Sequence, residues 1–213
     1  MIFKEINSLF IHIPKCAGST VTSRIGEYFH GNDWDKVREK RSMVKKKWAQ
    51  HWGYQEYAEH ISQDLLDGMF KFTFVRNPWD RAVSEFMYVK SSGCSCNKKK
   101  VSQLDFQEFV ERGFLCSYGR HKLPQKKFIT NSKGEIVADA VFRFEDFEKD
   151  FSFLARKFNL KDKRCLNRSF NRTRSPSQKI KKPYWEYYNS KTKILIDSMY
   201  MEDIEYFNYT FGD

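Results

Sequence analysis

The sequence has no apolar run approaching the roughly 18 residues that a membrane-crossing helix needs. Its amino terminus also lacks the basic and apolar regions of a secretory leader. The expectation is a soluble, cytoplasmic chain without a membrane span. Cysteine is sparse: Cys16, Cys94, Cys96, Cys116 and Cys165 make an odd total of 5 and form no C-x-x-C pair. That argues against a disulfide framework and for reduced thiols. Cys94, Cys96, Cys116 and His121 have poor spacing for structural zinc, so no metal is expected. Internal repeats and low-complexity tracts are missing too, which removes the repeat architectures. Also missing is G-x-x-x-x-G-K-[ST], the ordinary nucleotide-binding loop.

What is present points to one sizeable core. The chain has 213 residues, 40% apolar and 17% aromatic, with 20 Phe and 11 Tyr, and its length suits a single domain over residues 1–213. The formal charge of +11 sets up a field that attracts anions. Nucleic acid, acidic polysaccharide and a nucleotide cofactor would all satisfy that field, so charge alone does not choose among them.

The stretch from Leu9 to Ser23 organises the rest. Leu9 to Ile13 reads as a buried strand, closed by Pro14, and Ser19 or Thr20 can cap a helix running to about Phe29. At such a turn the first helical N–H groups have no intrahelical partner and the helix dipole adds partial positive charge. Lys15 supplies a full charge at the rim, Gly18 allows close backbone approach, and the Ser19 and Thr20 hydroxyls can donate to an anion's oxygens. The stretch therefore reads as a phosphate cradle in a P-loop-like strand-loop-helix.

A second junction has the same character. Phe70 to Val75 is strand-like, and Pro78 suits the first turn of a helix, so Arg76 stands at the strand's carboxyl end. Ser84 lies about two turns into that helix, on a face that could meet the same ligand as Arg76. Two junctions, each with a cation and a hydroxyl, suit a ligand with two separated phosphate groups.

The remaining segments complete an α/β pattern with a central parallel sheet flanked by helices. A helical pattern runs through Tyr57, Ile61, Leu65 and Leu66, and Ser91 to Ser102 reads as an exposed loop. Leu104 to Arg112 reads as a short helix ended by Gly113. Lys127 to Phe144 reads as two strands around a turn at Asn131 to Gly134, the second covering Ile136 to Phe142. Phe147 to Phe158 is an amphipathic helix with Phe151, Leu154, Ala155 and Phe158 inward. Arg164 to Lys182 is a long basic loop, Tyr184 to Tyr200 a final helix, and Phe207, Tyr209 and Phe211 an aromatic tail.

Ile13-Pro14-Lys15-Cys16-Ala17-Gly18-Ser19-Thr20 and Val75-Arg76-Asn77-Pro78-Trp79-Asp80-Arg81-Ala82-Val83-Ser84 together resemble the two cofactor loops of sulfotransferases. The likeness is to the carbohydrate sulfotransferase family that includes heparan sulfate 2-O-sulfotransferases and bacterial relatives. Ala49-Gln50-His51, Arg143-Phe144-Glu145-Asp146-Phe147 and Asp203 to Phe211 resemble family segments in the same order, so the likeness covers nearly the whole chain. It implies 3′-phosphoadenosine 5′-phosphosulfate (PAPS) as donor, its 5′-phosphosulfate on Lys15 to Thr20 and its 3′-phosphate on Arg76 and Ser84. Cys16 stands where threonine is common in the family, a departure expected to matter little beside the backbone and Lys15.

Sulfuryl transfer to an alcohol needs a base, charge relief on the leaving phosphate and in-line placement. Among the 5 histidines, His12 reads as a core or supporting residue, His30 ends a helix, and His60 lies on an outer face. His51 matches the place of the family's general base, and Lys15 is expected to donate to the oxygen bridging phosphate and sulfur. The likeness further implies that Arg172, Arg174 and Lys179 close over the nucleotide and that His121 and Gln125 lie on the acceptor side. The acceptor class is a carbohydrate, acidic polysaccharide included. A P-loop-type kinase and a basic nucleic-acid-binding module are the alternatives. The first lacks its loop and a clear magnesium-binding aspartate after a strand; the second leaves the paired loops unexplained.

Overall fold

Burial of a strand on both faces is the condition of a parallel sheet. Ser8–Ile11 and Phe70–Val75 are of this kind and lie side by side as parallel neighbours. A computed structural model describes residues 1–30, 49–92, 103–114, 117, 119–160 and 182–212. Its sheet has four strands in the order β1 (Ile2–Phe3), β2 (Ser8–Ile11), β3 (Phe70–Val75) and β4 (Ala140–Arg143). The pairs β2–β3 and β3–β4 are parallel, with Ile11 opposite Thr73 and Val75 opposite Arg143. The antiparallel edge strand β1 pairs Ile2 with Leu9. The helices along the chain are α1 (Gly18–His30), α2 (Tyr54–Ala58), α3 (Gln63–Asp67), α4 (Pro78–Ser92), α5 (Phe106–Glu111), α6 (Phe147–Lys157), α7 (Ser190–Met199) and α8 (Met201–Tyr206). No helix among the described residues is long and apolar enough to cross a membrane. The α/β class with a mostly parallel sheet is thus as the sequence indicated.

The chain forms two compact units, Met1–Val75 with Lys127–Thr173, and Arg76–Lys126 with Arg174–Asp213. The first holds the sheet. Alternation along the strands puts Phe10, Phe72, Phe74 and Phe142 on one face, with ring centroids 5.1 Å apart for Phe10–Phe72 and 5.3 Å for Phe74–Phe142. Helix α6 covers that face through Phe147, 5.0 Å from Phe74. Arg24 of α1 reaches α6 as well: its two terminal nitrogens donate to Glu148 at 2.8 and 2.7 Å, and its guanidinium lies 4.9 Å from the Phe151 ring centre. On the opposite face of β3, the Lys71 ammonium donates to the carbonyls of Leu66 and Met69 at 3.1 and 2.9 Å, closing the end of α3.

The second unit is built on α4 and the carboxyl-terminal helices. Phe86 of α4 meets Phe106 and Phe109 of α5 at 5.5 and 5.4 Å. Trp79 donates its indole N–H to Asp197 of α7 at 2.7 Å, and its ring meets Phe211 at 5.5 Å, which anchors the aromatic tail.

Several expected boundaries move, each for a local reason. Strand β2 stops at Ile11 rather than Ile13, because Ile13 N–H already turns back to the Ile11 carbonyl at 3.2 Å. Helix α1 starts at Gly18, before either expected cap, since Thr20 and Val21 donate to the Ala17 carbonyl at 2.8 and 3.1 Å. The pattern through Tyr57 and Leu66 splits into α2 and α3, leaving Leu65 exposed. The expected hairpin keeps its turn, where Gly134 has φ +80°, but its pairing shrinks to one bridge between Thr130 and Ile136. Asp139 then donates to the Lys71 carbonyl at 2.7 Å, and the segment joins β3 as β4. The expected final helix is two pieces, a tight turn at Tyr184–Tyr187 and α7, and α8 follows beyond it. Asn189 divides the two pieces by accepting from Thr192 N–H at 2.9 Å and starting α7 afresh. Residues 31–48, 93–102 and 161–181 lie outside the described residues, and with them most of the expected loops Ser91 to Ser102 and Arg164 to Lys182.

Candidate active site

In the first unit, the chain leaves β2 through His12, Ile13 and Pro14 and enters α1 through a strained turn. Lys15 and Ala17 have φ 69° and 62°, left-handed values that residues with a Cβ rarely adopt, while Cys16 between them does not. Alternating handedness of this kind gathers successive N–H groups into a concavity that suits an anion. The amino terminus of α1 follows directly, and its first turn contains no acidic residue. Cys16 points inward and its thiol donates to the Pro14 carbonyl at 3.5 Å, so its side chain is turned away from the rim. Lys15, Ala17 and Thr20 are half-buried and Ser19 is exposed.

Gly18 has a second duty. A Cβ built there would stand 1.8 Å from the His12 ring, so the imidazole occupies the space that any other residue would fill. The His12 ring stacks on Phe10 at 5.6 Å and meets the His51 ring edge-on at 4.6 Å. His51 in turn places Nδ1 3.2 Å from the His12 carbonyl oxygen. A carbonyl oxygen only accepts, so Nδ1 carries the proton and, in the neutral ring, Nε2 carries the lone pair. His60 is exposed just beyond α2, its Nδ1 2.9 Å from the Glu56 carbonyl and its ring 4.5 Å from Trp52.

In the second unit, Arg76 precedes α4, and Asn77 caps that helix by accepting from Trp79 N–H at 3.1 Å. Arg76 is only 2% exposed, and its Nε and one terminal nitrogen both reach Asp80 at 2.6 Å. Ser84, also buried, lies one turn beyond Asp80. Gln125, 0% exposed, accepts from Arg76 N–H and donates to the Arg76 carbonyl, both at 2.8 Å. Gln125 N–H and Lys126 N–H donate to the two oxygens of buried Asp203, at 2.7 and 2.9 Å. Burial raises the Asp203 carboxyl above its usual range, against the opposing pull of Arg81 and those N–H donors. His121 puts Nδ1 2.8 Å from Glu85 Oε2, and Arg81 donates to the carbonyls of His121 and Leu123 at 3.0 Å each.

The residues read from the sequence thus fall into two groups. Lys15 to Thr20 and His51 belong to the first unit; Arg76, Ser84, His121 and Gln125 belong to the second. Arg172, Arg174, Lys179, Cys94, Cys96 and Cys116 lie outside the described residues. Among the described residues no group of three or more His, Cys, Asp or Glu is placed to hold a metal ion. The sequence reading overlooked Asp80, although a carboxylate four residues after Arg76 on a helix is a readable pairing signal. It also overlooked Asp203 and Glu85, whose partners are distant in the chain.

No solved structure matches the chain. A protein of Archaeoglobus fulgidus, described as an uncharacterized protein, is 30% identical over 101 residues, which make up 47% of this chain and 76% of that one. The profile described as "Sulfotransferase family" matches residues 1–210, nearly the full length, and so the chain belongs to the sulfotransferase family, whose members transfer sulfuryl groups.

Proposed function

We propose that this sulfotransferase moves a sulfuryl group from PAPS to a hydroxyl of a carbohydrate acceptor, with His51 as the base. The observation that carries this reading is the position of His12. Its ring fills the space against Gly18 beside the anion-binding turn, and its carbonyl sets the tautomer of His51. The turn assigned to the anion and the ring of His51, with its Nδ1 on a carbonyl, are thereby both braced by one residue.

The turn from Lys15 to Thr20 offers backbone N–H groups, a helix start and an ammonium, a donor set that suits the 5′-phosphosulfate. When bound, PAPS supplies the sulfuryl group and leaves as 3′-phosphoadenosine 5′-phosphate. Lys15 is assigned to the charge that grows on the leaving oxygen, a contribution of roughly 3 kcal/mol. His51 is assigned to the acceptor's hydroxyl proton. Arg76, preset by Asp80, and Ser84 are assigned to the 3′-phosphate. The assignment of Arg172, Arg174 and Lys179 to the nucleotide, and of His121 to the acceptor side, rests on family likeness. The formal charge of +11 is compatible with an acidic acceptor such as a polysaccharide.

Thermal stability measured with 3′-phosphoadenosine 5′-phosphate, magnesium ATP and an oligonucleotide at one salt concentration tests the donor. The bisphosphate is expected to raise the melting temperature most. Stabilisation by ATP or oligonucleotide and not by the bisphosphate would overturn the reading. A glycan panel incubated with sulfur-labelled PAPS then identifies the acceptor, and failure to label any hydroxyl-bearing sugar counts against a carbohydrate.

A further inference from the structure

We infer that Gln125 and Asp203 are positioning residues for Arg76, setting recognition of the 3′-phosphate without touching it; the inference rests on the reading that Arg76 meets that group. Family likeness puts Gln125 on the acceptor side, yet its amide faces the protein's own main chain. It is 0% exposed, and its Oε1 and Nε2 each make a 2.8 Å bond to Arg76, one to the N–H and one to the carbonyl. Both backbone groups of a single residue are therefore tied by one planar amide. That fixes the peptide planes on either side of Arg76 and so the direction of its Cα–Cβ bond.

Asp80 holds the other end of the same side chain, with 2.6 Å contacts to Nε and a terminal nitrogen. A guanidinium constrained at its root and at its head loses little conformational freedom when it meets an anion, which is how preorganisation raises affinity. Asp203 acts one step further back. It is also 0% exposed, and its two oxygens accept from Gln125 N–H and Lys126 N–H at 2.7 and 2.9 Å, which holds the main chain that carries the amide. The order of action is Asp203, then Gln125, then Arg76.

The test compares binding of 3′-phosphoadenosine 5′-phosphate with that of adenosine 5′-phosphate, which differs only by the 3′-phosphate. Gln125→Glu keeps the acceptor for Arg76 N–H and, while ionised, loses the donor to its carbonyl. Asp203→Asn replaces one of two acceptors. Each is expected to weaken the bisphosphate about tenfold, the size of one or two lost hydrogen bonds, and to leave the monophosphate unchanged. In an Arg76→Ala background the Gln125→Glu change should add nothing further. If both ligands weaken equally in both variants, or if Gln125→Glu costs the same without Arg76, the positioning role is overturned while Arg76 keeps its assignment. If Arg76→Ala itself spares the discrimination between the two nucleotides, the assignment of Arg76 fails and this inference falls with it. Should Gln125→Glu not fold, Asp203→Asn carries the comparison, and unchanged discrimination there overturns the proposal.

Discussion

His51 holds its Nδ1 3.2 Å from the main-chain oxygen of His12, and the two rings meet edge to face at 4.6 Å. The bond comes from backbone, so no substitution at His12 removes the acceptor itself; the side chain at that position governs only where the carbonyl sits. His51→Ala is accordingly expected to leave binding of 3′-phosphoadenosine 5′-phosphate nearly intact while turnover drops by roughly 10² to 10⁴. His60→Ala is the control, because its exposed ring packs on Trp52 and should leave turnover nearly unchanged. Loss of activity at His60 with a folded, active His51→Ala enzyme would put the base at the other histidine.

Lys15→Ala should separate chemistry from binding. On the proposed assignment the backbone N–H groups of the turn remain for the phosphosulfate, so affinity for PAPS is expected to fall less than turnover. A raised Michaelis constant with unchanged turnover would make Lys15 a binding residue.

Gly18→Ala probes the contact with His12. Its added methyl would lie 1.8 Å from the ring, so the imidazole or the start of α1 must shift. The expected cost is about 1–3 kcal/mol in unfolding free energy, together with weaker bisphosphate binding. A variant as stable as the parent, with unaltered turnover, would show that the ring has room to move.

Alkaline pH tests the second unit. Burial, outweighing the attraction of Arg81, raises the Tyr200 hydroxyl from its usual value near 10 to about 12. The group favours folding while protonated, so its contribution is complete below pH 10 and is lost as pH rises through about 12. Tyr57 and Tyr188 are raised by burial as well and add to the same alkaline loss. Tyr200→Phe removes one share along with the 3.1 Å bond to the Lys122 carbonyl. The stability gap between parent and variant, measured by denaturant unfolding, should therefore be widest at pH 8 and already smaller at pH 11. A constant gap would mean that Tyr200 titrates as it would in water.

What could be read from the chain was what depends on near neighbours. The run Phe70–Val75, the proline opening α4 and the amphipathic spacing of Phe147, Phe151 and Leu154 each carry their own signal, and all three stand as expected. The left-handed turn at Lys15 and Ala17 gave no such sign, since neither residue favours it; the tertiary structure holds them there. The pairing of Ala140–Arg143 with β3 was hidden for a related reason, because the nearby Asn131–Gly134 turn signals a hairpin that long-range pairing overrides. Gln125 was singled out from family likeness, but only the bonds to Arg76 show what its amide does.

The two groups of residues assigned to the donor differ in when a growing chain can complete their contacts. Cys16 bonds to Ile13, and Thr20 and Val21 bond to Ala17, so the anion turn is closed by partners a few residues apart. The root of Arg76 is tied by Gln125, which is itself held by Asp203. At ribosomal rates the interval between emergence of Val21 and of Asp203 is roughly ten to forty seconds. Until Asp203 has emerged, the root of Arg76 lacks the last of the partners that fix it. On the proposed assignment, preference for the bisphosphate over ordinary adenine nucleotides therefore waits for the carboxyl-terminal segment of the chain.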